Sequence, residues 1–248
     1  MSNGSIQSVM KALKILELFT EKPAWSITEI GERLLFPSST TQRLVITLEE
    51  AGYLYREQET KKYYLTIKPY LIGSKTEAVS QLEKQAQRVI QLLAQEINES
   101  VNISIAQGIY AVTVLKANPE RKFSAVPNIG DKRQLHATSV GKCLLAFNSN
   151  SCFDQLMNSR EPLKAYNDRT VTDRKLIGEY LTSVREKGFA IDREEVEKGL
   201  TCFGAPIFDE MKHCIAAISI SVPSFRIEDE QLFIDKVVQT ASQISSKF

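Results

Sequence analysis

The spacing of apolar residues in the first 35 positions predicts two helices. An apolar stripe at intervals of three and four residues is typical of one face of an amphipathic helix. This stripe consists of Val9, Leu13, Leu16 and Phe19. After Pro23, Ser26 and Glu29 stand at the spacing of a capping box, in which each side chain binds the other residue's backbone N–H. The box predicts a second, short helix over Ile27–Leu34.

A third helix and a hairpin are predicted next. The third helix begins at Ser38 or Ser39, either of which could cap it, and ends near Ala51. Its predicted buried stripe is Leu44, Leu48 and Ala51. Gly52 follows at the position that favours a left-handed residue. Two aromatic-rich runs, 53–56 and 63–67, flank the polar stretch 57–62 and predict a β-hairpin. Three helices and a hairpin indicate a winged helix-turn-helix.

The second region opens with a long helix. Apolar residues follow a helical stripe from Glu77 to Ile97 without Gly or Pro, a length of about 30 Å. This helix either belongs to the core of the second domain or links the domains and packs against a partner subunit. We place the approximate domain boundary at residues 73–76.

The remaining residues alternate between strand-like and helix-like patterns. Strands are predicted at 101–106, 110–116, 189–192, 203–208 and 215–222. Helices are predicted at 137–147, 173–187 and 228–246. Short strands mixed with separated helices indicate an α+β domain with a mainly antiparallel sheet.

Composition narrows the function classes. Apolar residues make up 43% and charged residues 25% of the 248 positions, which excludes a disordered tail, a collagen-like fibre and a small disulfide scaffold. Lys and Arg number 31 against 30 Asp and Glu, so a strongly basic nucleic-acid coat is excluded but a local basic face is not. No signal-peptide pattern opens the chain, and no apolar run reaches the ~18 residues of a membrane span. We expect a cytoplasmic protein without a membrane segment.

The third helix carries candidate DNA-binding residues. Its first half is small, polar and free of acids, which suits a helix end whose free amides approach phosphates and base edges. The candidates on it are Ser38, Ser39, Thr40, Gln42 and Arg43. Gln can pair with adenine and Arg with guanine, while Lys61 and Lys62 could contact phosphates from the hairpin. The alternative is an α+β subdomain with no ligand, in which the lysines are only solvated.

Two segments of the second region resemble parts of a ligand site. In 135–142 a polar loop enters a helix, and Gly141 either permits close ligand approach or packs tightly against the sheet. In 215–221, Ser219 and Ser221 share one strand face. They need hydrogen-bond partners, which either a ligand or neighbouring backbone could provide.

The cysteines and histidines offer no standard catalytic or metal motif. Cys143, Cys152, Cys202 and Cys214 form no CxxC pair and no metal-ligand spacing with His136 or His213. We interpret the cysteines as packing residues and expect no cofactor, no metal and no catalytic residues. Two alternatives stay open. Cys202 could act as a nucleophile supported by Asp192, or Cys202 or Cys143 could sense oxidants through a disulfide.

The sequence resembles the IclR family of bacterial transcriptional regulators over nearly its whole length. The N-terminal resemblance lies in 8–17, 27–30, 39–48, 52–53 and 62–63, and the C-terminal resemblance in 135–142, 192–195, 199–202 and 205–207. Two departures occur, because the family usually has an apolar residue at Thr41 and Gly at Thr66. The second is also seen in the subgroup that regulates sugar-acid catabolism.

The resemblance implies three parts: a winged helix-turn-helix over 1–74 that binds operator DNA, a linking helix over 75–98 and a GAF-like effector-binding domain over 99–248. It also implies a homodimer or tetramer that responds to a small organic acid. The implied effector contacts are Asp192, Cys202, Ser219 and Ser221, with amides near Gly141.

The charge of the first region bears on how the protein binds DNA. A net charge of only +2 over residues 1–75 (10 basic against 8 acidic) implies few phosphate contacts per subunit, so DNA binding should need a second subunit.

Overall fold

The computed structural model describes residues 4–73, 76–119, 127–147, 151–159 and 162–248. It forms two compact units, Met1–Ser80 and Gln81–Phe248. The domain limits at residues 74 and 98 stay predictions, since the long helix runs from Glu77 to Ile97 across the division between the units.

The first unit is a winged helix-turn-helix, as predicted. Its elements are α1 (Gln7–Glu17), α2 (Ile27–Leu34), α3 (Ser38–Glu50), β1 (Leu54–Arg56), β2 (Tyr63–Leu65) and α4 (Lys68–Gly73). The strands β1 and β2 pair in antiparallel register, and Trp25 adds an isolated bridge to Tyr63. The buried core joins the three main helices to the hairpin. It includes Ile15, Leu18, Trp25, Ile30, Val45, Leu48, Leu54 and Tyr63.

Only the C-terminal part of the predicted apolar stripe of α1 is buried. Val9 and Leu13 are 51% and 48% exposed, whereas Ile15 is fully buried. Leu16 is half-buried, and Phe19, which lies in the 3₁₀ turn Leu18–Thr20 that follows α1, is buried.

The capping box of α2 is confirmed, but the predicted start and buried face of α3 were wrong. Ser26 and Glu29 bind each other's backbone N–H groups. The N-cap of α3 is Pro37, whose carbonyl accepts the Thr41 N–H at 2.9 Å, and no side chain caps the helix. Ser38 and Ser39 already lie inside the first turn. The core residues of α3 are Thr41, Val45 and Leu48, while Leu44 is half-buried and Ala51 exposed.

Thr41 explains why this face was misjudged. The hydroxyl of Thr41 donates to the Pro37 carbonyl at 3.1 Å, so its polar atom is satisfied within the helix and its methyl group occupies an apolar position. The departure from the apolar residue usual in the family therefore leaves the orientation of α3 intact. Gly52 has a φ of +75° and confirms the predicted left-handed end.

The second unit is an antiparallel sheet between two helical layers. Its strands are β3 (Ser100–Gln107), β4 (Tyr110–Ala117), β5 (Lys132–Gln134), β6 (Ala190–Arg193), β7 (Leu200–Phe208) and β8 (Cys214–Pro223). Its helices are α5 (Glu77–Ile97), α6 (Ser139–Phe147), α7 (Ser151–Asn158), α8 (Arg174–Lys187) and α9 (Glu230–Ser245). The strand order is β5-β4-β3-β8-β7-β6. The α+β architecture predicted from the pattern is confirmed.

The two faces of the sheet have different chemistry. Residues such as Ile103, Ile218 and Ile220 pack with α5 and α9 in one apolar core. The alternate residues point to the layer of α6, α7 and α8, where the apolar cluster is smaller. The buried polar residues Asn102, Ser104, Ser219 and Ser221 lie on this second face. No helix in the described ranges is long and apolar enough to cross a bilayer.

Candidate functional sites

The exposed face of α3 contains most of the predicted DNA-binding side chains. Ser38, Ser39, Gln42 and Arg43 are exposed and Thr40 is half-buried. Ser39, Gln42 and Arg43 share one face with Ile46, at spacings of three and four. Ile46 is 38% exposed and was not predicted. No acidic residue occupies the first turn of α3. The positive end of its helix dipole is therefore not offset by a local negative charge.

The hairpin presents basic groups around an internally bonded turn. Lys61 is exposed with a φ of +59°, and Lys62 is half-buried. The Glu57 carboxylate accepts hydrogen bonds from the Thr60 and Tyr64 hydroxyls at 2.5 and 3.3 Å. Arg56 on β1 is also exposed and was not predicted, because a single Arg in a strand-like run gives no signal of its own.

Four of the five predicted effector contacts line one partly open cavity of about 180 Å³. Asp192 lies on β6, Cys202 on β7, and Ser219 and Ser221 on β8. Antiparallel register brings them together, because Asp192 pairs with Cys202 and Cys202 pairs with Ser221. Side chains directly opposite on adjacent strands are about 5 Å apart.

Gly141 does not line this cavity. Its N–H donates to the Thr138 hydroxyl at 3.0 Å, and a Cβ at this position would lie 2.1 Å from the Leu135 carbonyl oxygen. Gly141 is therefore tightly packed, but its neighbour is Leu135 in the 3₁₀ turn before α6, not the sheet as the alternative had it. Gly204 on β7 plays a related part, since a Cβ there would lie 2.8 Å from the Ser139 carbonyl carbon. The two glycines let the first turn of α6 lie close to its neighbours.

The cavity has a second polar wall that sequence reasoning missed. Asn102 and Ser104 on β3 and Thr113 on β4 line it, together with Asp131 and Arg133. The Asn102 Nδ2 lies 3.4 Å from the Ser221 hydroxyl, and the Cys202 thiol lies 3.4 Å from the same oxygen. Strands β3 and β8 are neighbours although more than 100 residues separate them, so no local pattern could have indicated this wall.

A buried ion pair supports the wall that carries Asp192. The Lys142 ammonium on α6 bonds the Glu195 carboxylate and also donates to the Ile191 carbonyl at 3.2 Å. The Asp192 carboxyl accepts the Glu195 N–H at 2.7 Å. Burial raises the pKa of Asp192 to about 7, against the opposing effects of Lys142 and two backbone N–H groups. Burial therefore favours the protonated form of this carboxyl more than in an exposed Asp.

The three described cysteines, Cys143, Cys202 and Cys214, have thiols that burial keeps protonated. Burial raises the pKa of Cys143 and of Cys202 well above the usual range, and raises that of Cys214 to about 12. A protonated thiol is a weak nucleophile. The side chain of Cys152 lies outside the described residues. His136 is buried with its Nε2 3.2 Å from the Lys164 carbonyl, and His213 lies on the surface beside Asp209; neither lines the cavity.

A helix-turn-helix unit and a second unit whose cavity is lined by several polar side chains are together typical of a transcriptional regulator with an effector-binding domain. The family description "IclR helix-turn-helix domain" matches residues 8–58, and "Bacterial transcriptional regulator IclR C-terminal" matches residues 76–246. The chain belongs to the IclR family of bacterial transcriptional regulators.

Individual relatives match over almost the full length. The HTH-type transcriptional regulator KdgR of Escherichia coli is 30% identical over 98% of this chain and 93% of its own length. BhcR of Paracoccus denitrificans is 29% identical, with coverages of 98% and 88%. The crystal structure of Thermotoga maritima IclR has a TM-score of 0.78 at 27% identity, covering 98% and 99% of the two chains.

One solved neighbour contains a ligand. An IclR homologue from Microbacterium hydrocarbonoxydans, crystallised in complex with 4-hydroxybenzoate, has a TM-score of 0.82 at 21% identity and covers 96% and 98% of the two chains. At this identity the likeness shows the shared fold.

Proposed function

We propose that the protein binds operator DNA as a homodimer or tetramer and changes its DNA affinity when a small organic acid occupies the cavity. One observation carries the proposal: a single chain combines the acid-free first half of α3 with a cavity lined by polar side chains. It acts as a binding protein and not as an enzyme, which the suppressed thiol reactivity and the absence of histidine from the cavity lining support.

The geometry of α3 supports the proposed DNA contacts. Its outward amides and dipole favour phosphate, while Gln42 and Arg43 are long enough to reach base edges in a major groove. Lys61, Lys62 and Arg56 on the hairpin would contact the backbone and add affinity that depends on salt but not on sequence. Paired subunits place two such helices about 34 Å apart, so the operator should be near-palindromic.

The cavity chemistry favours a small acid with additional hydroxyl groups, such as a sugar acid. The first turn of α6 contributes Ser139 and Val140 to the lining, and Arg133 contributes a cation. Helix amides and a guanidinium bind carboxylates. The hydroxyl and amide groups of Ser104, Thr113 and Asn102 on the opposite wall can bind further oxygens of the ligand. No cofactor is required for this function.

Arg43 provides a direct test of DNA recognition. A near-palindromic site is first isolated by in vitro selection from random double-stranded DNA with the full chain. We then expect Arg43→Ala to weaken binding to that site by about 1–3 kcal/mol, or ~5- to 150-fold. The measurement is fluorescence anisotropy at fixed salt.

The matched control is Arg33→Ala on α2. Arg33 is exposed and paired with Glu21 at 2.9 Å, and such surface pairs contribute little to stability. Equal losses of specific affinity in Arg33→Ala and Arg43→Ala, or no loss in either variant, would contradict the assignment of α3 as the recognition helix.

A further inference from the structure

Asp192 is a buried carboxyl group that faces the effector cavity without a cationic partner of its own. It is 3% exposed. Its carboxyl accepts hydrogen bonds from the backbone N–H groups of Glu195 and Val196, and no salt bridge to it occurs in the described ranges. A carboxylate in such a place must be stabilised by dipoles alone or carry a proton.

The charged groups around Asp192 do not supply that missing cation. From α6, Lys142 already forms an ion pair with Glu195 and bonds the Ile191 carbonyl. The turn after β6 adds Glu195 and Glu197. At the opposite wall, Arg133 lies 4.0 Å from Asp131. Lys142 is thus matched by a buried carboxylate before any ligand enters, whereas Arg133 and Asp131 are both partly exposed and only loosely paired.

Two further titratable groups, a thiol and a phenol, lie near Asp192 and are uncharged. Cys202 on β7 pairs with Asp192 across the sheet, and burial keeps its thiol protonated by raising its pKa. Tyr180 on α8 exchanges hydrogen bonds with the backbone of Ile191, and burial raises the pKa of its phenol. Neither group adds positive charge to the cavity. If Asp192 were ionised, an anionic ligand would therefore place a second carboxylate beside it, with no cation to neutralise the pair.

We propose that Asp192 binds the effector in its protonated form, donating its proton in a hydrogen bond to the effector's carboxylate, so that each acid molecule binds together with one proton. This inference rests on the proposed function, because it specifies how the same cavity accepts an acid. Two carboxyl groups that share a site keep one proton between them, since both cannot ionise at short range. The proton comes from solvent and stays on the Asp192 carboxyl, and no bond of the effector is broken.

The structure sets the pH range of the effect. With the pKa of Asp192 raised to about 7 by burial, the free carboxyl is mostly protonated below pH 7 and mostly ionised above it. A bound carboxylate raises that pKa further. The apparent Kd for an acid should therefore be level below pH 7 and rise about tenfold per pH unit above it. Proton uptake at pH 8 should approach ~0.9 per acid bound.

The experiment is isothermal titration calorimetry of the full chain between pH 6 and 9. The probes are pyruvate, gluconate and 4-hydroxybenzoate, each in buffers of different ionisation enthalpy, which report the protons taken up. Two variants accompany the wild type. Asp192→Asn mimics the protonated carboxyl and should bind acids with a Kd that no longer changes with pH. Asp235→Asn, at an exposed position of α9, should keep the wild-type pH slope.

Each outcome decides the matter. Proton uptake that is present in the wild type and absent in Asp192→Asn supports the inference. Acid binding without proton uptake overturns it and leaves the proposed function standing, with Asp192 as an ionised acceptor for effector hydroxyls. If none of the three acids binds, both the inference and the organic-acid part of the proposed function are wrong. Should Asp192→Asn fail to fold, the wild-type buffer series still measures proton uptake.

Discussion

Replacing Gly141 by Ala tests whether close packing of α6 builds the cavity. A Cβ at this position would lie 2.1 Å from the Leu135 carbonyl oxygen and 2.5 Å from the Leu135 Cα. Both are backbone atoms, so no side-chain rotation relieves the overlap. Either α6 or the 3₁₀ turn Leu135–Ala137 must move. Ser139 and Val140, which precede Gly141 on α6, line the cavity and would move with the helix.

The net free energy combines two opposing effects. Alanine favours a helix over glycine by about 1 kcal/mol, which alone would stabilise the variant. Overpacking a close-packed interior costs about 1–3 kcal/mol and occasionally more, and a contact of 2.1 Å with backbone belongs at the upper end. We therefore expect a net loss of about 2 kcal/mol. That corresponds to roughly 4–8 °C in Tm for a unit of this size.

Thermal unfolding monitored by near-ultraviolet circular dichroism measures this loss. Gly178→Ala is the matched control, because Gly178 is also helical and its added Cβ would meet only the Met157 Cε at 3.8 Å. The control should be as stable as the wild type or up to about 1 kcal/mol more stable. If Gly141→Ala behaves like Gly178→Ala, the close approach of α6 does not constrain the fold and the reasoning is refuted.

Three further predictions concern stability. Lys22 and then the Ser26 N–H lower the pKa of Glu29 from 4.5 to about 2. The stability advantage of wild type over Glu29→Gln should therefore be full above pH 4.5 and disappear as the pH falls towards 2. A difference in Tm that stays constant over this pH range would contradict the prediction. Lys142→Met should lose about 3–5 kcal/mol in urea unfolding because it leaves Glu195 buried without its partner, and a second change, Glu195→Leu, should restore part of the loss if the pairing is responsible. Leu35 is 89% exposed with a φ of +55°, so Leu35→Gly should raise stability by about 1 kcal/mol, and unchanged urea midpoints would count against strain there.

Long periodic segments were predictable because their signal repeats many times. The helix Glu77–Ile97 was predicted to the residue, since six turns of consistent apolar spacing leave little freedom in its phase. The short elements β5 and α7 were missed, because three or eight residues carry too few repeats to distinguish periods.

The candidate effector site was partly predictable. The alternation of Ser219 and Ser221 indicates that one face of β8 is polar. It does not indicate which residues of other strands share that face. Asn102 and Thr113 join the cavity only through the order β4-β3-β8, a long-range property of the sheet. The role of Gly141 was equally hidden, because its neighbour Leu135 is brought close by the path of the chain into α6.

The measurement that tests the central claim most directly is operator binding with and without an organic acid. The full chain is titrated onto a labelled near-palindromic DNA from in vitro selection, in the absence and presence of saturating pyruvate, gluconate or 4-hydroxybenzoate. We predict that at least one acid changes the Kd for DNA by 5-fold or more, on the order of 1 kcal/mol of coupling. The same change should be lost when the cavity is altered by Ser219→Leu. A protein that selects no preferred DNA, or whose DNA affinity is identical with every acid that binds it, would contradict the account.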